Sequence, residues 1–236
     1  MCTVSFVRSN NKFIITSNRD EQVLRPSAIE PKNYCINNKN IIFPKDKKAG
    51  GTWYAVDEYS NVLVLLNGAN DKHLQKEDYR KSRGIIVLDL IGSNSPIAQW
   101  NAIDLDNIEP FTIVLFENRR LYQLQWNEKE KSTLELDVKQ SHIWSSSTLY
   151  SSEIREKRKQ WFYTFLDTKP EISASEMLTF HRYTEQENTE NGLVINRNDF
   201  LKTLSITQTV LENNKVEIHY ADLQLNKEFS TAFITV

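Results

Sequence analysis

Met1-Cys2-Thr3-Val4-Ser5-Phe6-Val7-Arg8-Ser9-Asn10-Asn11-Lys12-Phe13-Ile14-Ile15-Thr16-Ser17-Asn18-Arg19-Asp20-Glu21 is the stretch that decides the fold. Residues 3–8 and 12–17 are rich in β-branched and aromatic side chains and flank an Asn-Asn pair suited to a tight turn. The stretch therefore reads as a β-hairpin. Such a hairpin returns residues 18–21, one amide and three charges, beside the start of its own first strand.

Removal of Met1 before a small second residue would leave Cys2 with a thiol and a free α-amine on one residue. The thiol attacks, and the amine, with a pKa of roughly 7.7–8.0 against roughly 8.5 for the thiol, can take its proton near neutral pH. The plain alternative is that Cys2 is a small apolar residue entering a strand. Asp20 could hold or orient the amine, and Arg19 could bind a substrate carboxylate or keep the thiolate ionised. Their alternative is a solvated turn with a surface ion pair. Asn67 ends the apolar run 61–66 and precedes Gly68. There its amide can donate to a developing oxyanion, or it serves left-handed turn geometry beside Gly.

Outward from these residues, the polar segment holding Pro26, Pro31 and Pro44 reads as loop. Residues 50–56 and 61–67 read as strands, 78–91 as a helix, and 96–102 as a shorter helix with Pro in its first turn. Strands over 111–117, 121–126, 132–138 and 142–145 fit an antiparallel meander. After the Ser-rich stretch 145–152, Ile154, Trp161, Phe162, Phe165 and Leu166 share a helix face, and Arg155, Lys157, Arg158 and Lys159 cover the rest as a solvated face. Ser173 and Glu176 form a capping box for a helix over 173–181. Residues 203–211 and 215–221 read as a last hairpin. Antiparallel strands with helices gathered apart give an α+β protein, expected as one domain over 1–236.

Composition narrows the function. With 236 residues, 39% apolar and 25% charged, the chain can bury a core and is not disordered. A net charge of -2 offers no global attraction to nucleic acid or an anionic membrane. No apolar run approaches the roughly 20 residues of a membrane helix, and the start does not read as a secretory signal. A cytoplasmic protein without stable membrane insertion is expected. The four histidines lack metal-site spacing, and no dinucleotide, P-loop or GxSxG motif occurs, so neither metal nor cofactor is expected. Cys35 is expected to be an inert buried or loop thiol.

Met-Cys at the start, Asn-Arg-Asp-Glu at 18–21, Gly-Gly-Thr-Trp at 50–53 and the strand ending in Asn67 together resemble the NRDE family, whose eukaryotic members are called transport and Golgi organization protein two. That family resembles a branch of the N-terminal nucleophile hydrolases, close to penicillin V acylase and bile salt hydrolase. The resemblance implies a four-layer αββα sandwich and attack by an N-terminal Cys on a non-peptide amide. It matches Cys2 to the nucleophile, Asp20 to the carboxylate that holds the α-amine, Asn67 to the oxyanion amide and, less closely, Arg19 to the acylases' arginine. Asn18, Trp53 and Ser146 are the expected substrate-binding positions, Ser146 standing where many members have Asn. The acylases' C-terminal Arg falls near Ser205 or Ile206. The expected ligand is a small-molecule acyl-amide. The rival reading is a non-catalytic binding or trafficking protein that uses the same pocket for an acyl thioester or a haem-like ligand.

Overall fold

In the computed structural model, which describes residues 3–76 and 78–236, strands β1 (Thr3–Ser9) and β2 (Lys12–Gln22) form the first hairpin. Then come β3 (Ile29–Ile36), β4 (Lys39–Lys45), β5 (Tyr54–Asp57) and β6 (Val62–Asn67). Helices α1 (Arg83–Ile91) and α2 (Pro96–Ala102) precede β7 (Phe111–Glu117), β8 (Arg120–Trp126), β9 (Lys131–Leu136) and β10 (His142–Ser145). Helices α3 (Ser152–Leu166) and α4 (Ala174–Tyr183) lead into β11 (Asn196–Arg197), β12 (Leu201–Glu212), β13 (Lys215–Asp222) and β14 (Lys227–Ile234). Two compact units result, Met1–Arg25 with Lys139–Ile234, and Pro26–Val138 with Thr235–Val236.

The first unit is an antiparallel sheet in the order β10-β1-β2-β12-β13-β14, with β11 paired to β12. Asn10 and Asn11 take φ of 48° and 61° in the β1–β2 turn, the left-handed pair a two-residue hairpin needs. Helices α3 and α4 cover one face of this sheet. Phe162, Met177 and Phe180 pack there on Val7, Ile14, Ile143 and Val210. Helix α4 starts with the expected capping box, Ser173 and Glu176 each bonding the other's backbone N–H. The second unit is the sheet β3-β4-β5-β6-β7-β8-β9, with α1 against β5 and β6 and α2 against β7. Helix α2 begins at Pro96 as expected, and the buried Glu117 carboxylate accepts from Ser95 Oγ and Ile97 N at its N-terminus.

Several expectations are corrected. Pro26 does lie outside any strand, but Pro31 and Pro44 belong to the hairpin β3–β4, turned at Asn37 and Asn38. Pro31 is tolerated because β3 is an edge strand and the register slips between Ile29 and Lys32. The helix expected over 78–91 starts only at Arg83, since Arg80 is tied to Asp104 and Asp106 carbonyls outside any helix. β10 leaves the meander β7-β8-β9 and pairs with β1 in the other sheet. Strand β14, exposed along most of its length, has no apolar run to announce it. Cys35 is exposed on β3, neither buried nor in a loop.

Candidate active site

At one end of the first sheet, Thr3 lies between Ser145 of β10 and Asn18 of β2. Cys2, one peptide bond before Thr3, lies outside the described residues. Residues 18–21 are not a turn after the strand, because β2 runs on through them to Gln22 in pairing with β12. Asp20 is buried. Tyr150 Oη donates to its Oδ2 and Thr203 Oγ1 to its Oδ1, both at 2.6 Å. Two donors on different oxygens fix the plane of the carboxylate.

The tyrosine is itself held. The Arg158 guanidinium lies 3.6 Å from the centre of its ring, and that of Arg197 5.2 Å. Arg158 comes from α3 and is fully buried, which corrects its placement on a solvated face. It donates to Thr3 Oγ1 and to the Asn191 and Gly192 carbonyls. Sequence reasoning missed this residue. The signal was available, since 158 stands midway between Ile154 and Phe162 at four-residue spacing, on the stripe that faces the sheet.

Asn18 also faces the helices. Its Nδ2 donates to the carbonyls of His181 at 3.0 Å and Leu193 at 2.7 Å, and its Oδ1 accepts from His181 Nδ1 at 2.6 Å. That assigns the imidazole tautomer, so Nε2 accepts from Ser5 Oγ at 2.7 Å. Serine, histidine and asparagine have triad-like spacing here, but all three are fully buried. The chain of bonds ties β1 and β2 to α4. The amide of Asn18 is thereby used inside the scaffold. Burial, and secondarily the charge of Arg158, pushes the His181 pKa down to about 3.

Arg19, on the opposite face, pairs across β2 and β12 with Ser205. It is buried, with its guanidinium 3.6 Å from Glu21, so it is no surface ion pair. Ser205 is one of the two positions where the acylase arginine was expected to fall. Ser146 is buried just past β10; its Oγ meets Thr148 Oγ1 at 2.9 Å and its carbonyl accepts from Tyr150 N at 3.1 Å. Asn18, Arg19, Asp20 and Ser146 therefore gather at the end of the sheet where Thr3 begins β1.

Trp53 and Asn67 belong to the second unit. Gly51 precedes Trp53 by two residues and has a reason of its own: a Cβ there would lie 2.3 Å from the Gly84 carbonyl carbon, so only glycine lets this turn touch the start of α1. Trp53 is buried, and its carbonyl accepts from Leu65 N. Asn67 is the last residue of β6, opposite Phe111. The left-handed position is taken by Gly68, at φ 80°, and Asn67 keeps strand geometry. Turn geometry thus does not explain the asparagine. Among the described residues no three His, Cys, Asp or Glu side chains gather as a metal site requires.

The family model for Transport and Golgi organisation 2 matches residues 1–236. The chain belongs to that family. NRDE is another name for it. A search of curated proteins finds no match. Among solved structures, a Caenorhabditis elegans N-acylethanolamine-hydrolyzing acid amidase ortholog is similar at TM-score 0.64 and 9% identity, over 88% of this chain and 92% of that one. Conjugated bile acid hydrolase from Clostridium perfringens, in an Arg-to-Leu variant, is similar at TM-score 0.51 and 10% identity, over 98% and 92% of the two chains. A second mutant of the same hydrolase is similar at TM-score 0.51 and 9% identity, with the same coverage. At these identities the likeness shows the fold, α+β of the N-terminal nucleophile hydrolase type.

Proposed function

We propose that this member of the family is a cytoplasmic amidohydrolase that cleaves a small-molecule, non-peptide acyl-amide through a thioester on Cys2. The observation that carries the reading is the buried Asp20, its carboxylate oriented by Tyr150 and Thr203 two residues beyond the partner of Thr3. A buried, aimed carboxylate at that end of the sheet suits an ammonium partner.

After Met1 is removed, the Cys2 thiol gives its proton to the Cys2 α-amine and the thiolate attacks the acyl carbon. The amide nitrogen takes that proton as the C–N bond breaks, and the amine leaves. Water then attacks the thioester, yields its proton to the α-amine, and the C–S bond breaks to release the acid. Asp20 holds the ammonium form between the two transfers. Asn67 donates to the oxyanion in both tetrahedral intermediates. Arg19 keeps the thiolate ionised, and contact with substrate is assigned to Trp53 and Ser146.

Amine release from acyl-amides of varied chain length tests this. Asn67→Ala lowers turnover by ~100- to 1,000-fold with little change in KM, because its hydrogen bond strengthens as charge develops. Release that survives Cys2→Ala contradicts the reading. So does saturable binding of haem or an acyl thioester with no amide cleaved by the unaltered chain.

A further inference from the structure

We propose that Arg158 is a positioning residue for the N-terminal nucleophile. Its guanidinium fixes Thr3, the residue bonded to Cys2, and through the Tyr150 ring it fixes Asp20. The inference rests on the amidohydrolase reading and deepens it.

A fold that needed only packing would not place a cation here. Position 158 lies on the stripe Ile154, Phe162 and Leu166 that α3 presents to the sheet, where leucine or methionine would fill the space at no electrostatic cost. Among the described residues, the partners of Arg158 are a hydroxyl, two carbonyls and an aromatic face, with no carboxylate in ion-pair contact. A buried guanidinium without a counter-ion is expensive to keep. What it does provide is direction. The planar fork addresses Thr3 Oγ1 from one nitrogen and the Asn191 and Gly192 carbonyls from the others, tying the loop after α4 to the first described residue of β1.

The same guanidinium covers the ring of Tyr150, whose hydroxyl is the donor to Asp20 Oδ2. A cation on the ring face polarises the phenol and strengthens that donation. Chain ends fray unless they are tied down, and a nucleophile displaced by about 1 Å loses on the order of 100-fold in rate. One buried side chain therefore reaches both the residue beside Cys2 and the group assigned to its amine. Lysine could not replace it, since a single ammonium cannot address these partners and stack on the ring at once.

The test compares the rates at which iodoacetamide labels Cys2 and the exposed Cys35 of the same molecule, read by peptide mass spectrometry. In the unaltered chain Cys2 labels faster. Thr3→Val and Tyr150→Phe, which keep volume and remove one hydroxyl each, lower the Cys2 to Cys35 ratio by ~10-fold or more. The Cys35 rate stays near that of the unaltered chain, and both variants stay folded, Thr3→Val with a melting temperature lowered by a few degrees because a buried donor loses its acceptor. Thr3→Ser, which restores the hydroxyl, restores the ratio, and Arg158→Lys does not. An undiminished ratio in both Thr3→Val and Tyr150→Phe overturns the inference while leaving the amidohydrolase reading in place. If Thr3→Val does not fold, Tyr150→Phe alone decides in the same way. Cys2 labelling no faster than Cys35 in the unaltered chain overturns both.

Discussion

Arg158 and His181 are two fully buried basic side chains of the same unit. The imidazole is held neutral by burial and by the nearby Arg158 charge, its pKa down to about 3. In the unfolded chain His181 titrates near its ordinary 6.5. The native state gives up stability when the unfolded state binds a proton that it cannot. The contribution of His181 is thus complete above pH 6.5 and is lost as pH falls from there toward 3, by at most about 1.4 kcal/mol per pH unit. Denaturant unfolding at pH 7, 5.5 and 4.5 checks this, with His181→Gln losing less stability per unit than the unaltered chain; equal slopes contradict it. Asp20→Asn is expected to slow Cys2 labelling much more than it lowers the melting temperature, since an amide fills the space but carries no charge. A large drop in melting temperature with unchanged labelling would make Asp20 a structural residue. Asp20 was singled out in the sequence by its motif, although it stands within β2 and not after it. Arg158 was not, because three basic neighbours disguised a residue whose spacing put it on the buried stripe. Asn18 sits in the same motif, yet only the structure reveals that every one of its polar atoms serves the scaffold.

At the scale of elements, local chemistry decided what could be read. The first hairpin, α2 and α4 each announce themselves by side chains adjacent to the backbone they cap or turn. Glycine is scarce, and asparagine takes over its work: among the described residues, nine of the fourteen non-glycine positions with positive φ are Asn, including the turn residues Asn10, Asn11, Asn37 and Asn38. The β3–β4 hairpin was hidden because its prolines signal loop, and only sheet register shows that an edge strand can carry one. Two substitutions probe the second unit. Gly51→Ala forces a methyl onto the Gly84 backbone and costs about 1–3 kcal/mol or more, by denaturant unfolding. Lys39 is buried, bonds Asp57 and the Ile91 and Ser93 carbonyls at the C-terminal end of α1, and so ties a β-turn to a helix end. Lys39→Met strands the Asp57 carboxylate and costs about 3–5 kcal/mol, whereas a loss under 1 kcal/mol would mean that the Asn61 and Tyr59 bonds to Asp57 suffice.

Across the whole molecule, what periodicity cannot deliver is long-range pairing. Nothing within residues 142–145 says that β10 joins β1 rather than the meander that precedes it, or that β12 lies beside β2 after nearly 180 intervening residues. The α+β class was legible in the pattern of elements, but the N-terminal nucleophile type only through a few motifs that resemble a family, and the family model and the solved structures agree with it. No described helix is long and apolar enough to cross a membrane. The account turns on one chemical claim, that residue 2 is a free amino-terminal cysteine that becomes acylated. Intact-mass and peptide mass spectrometry, on the chain incubated with a panel of acyl-amides, measures it directly. The account predicts loss of Met1 and a transient acyl adduct on Cys2 that is absent in Cys2→Ala and accumulates more slowly in Asn67→Ala. A retained Met1, or adducts confined to Cys35, would contradict it.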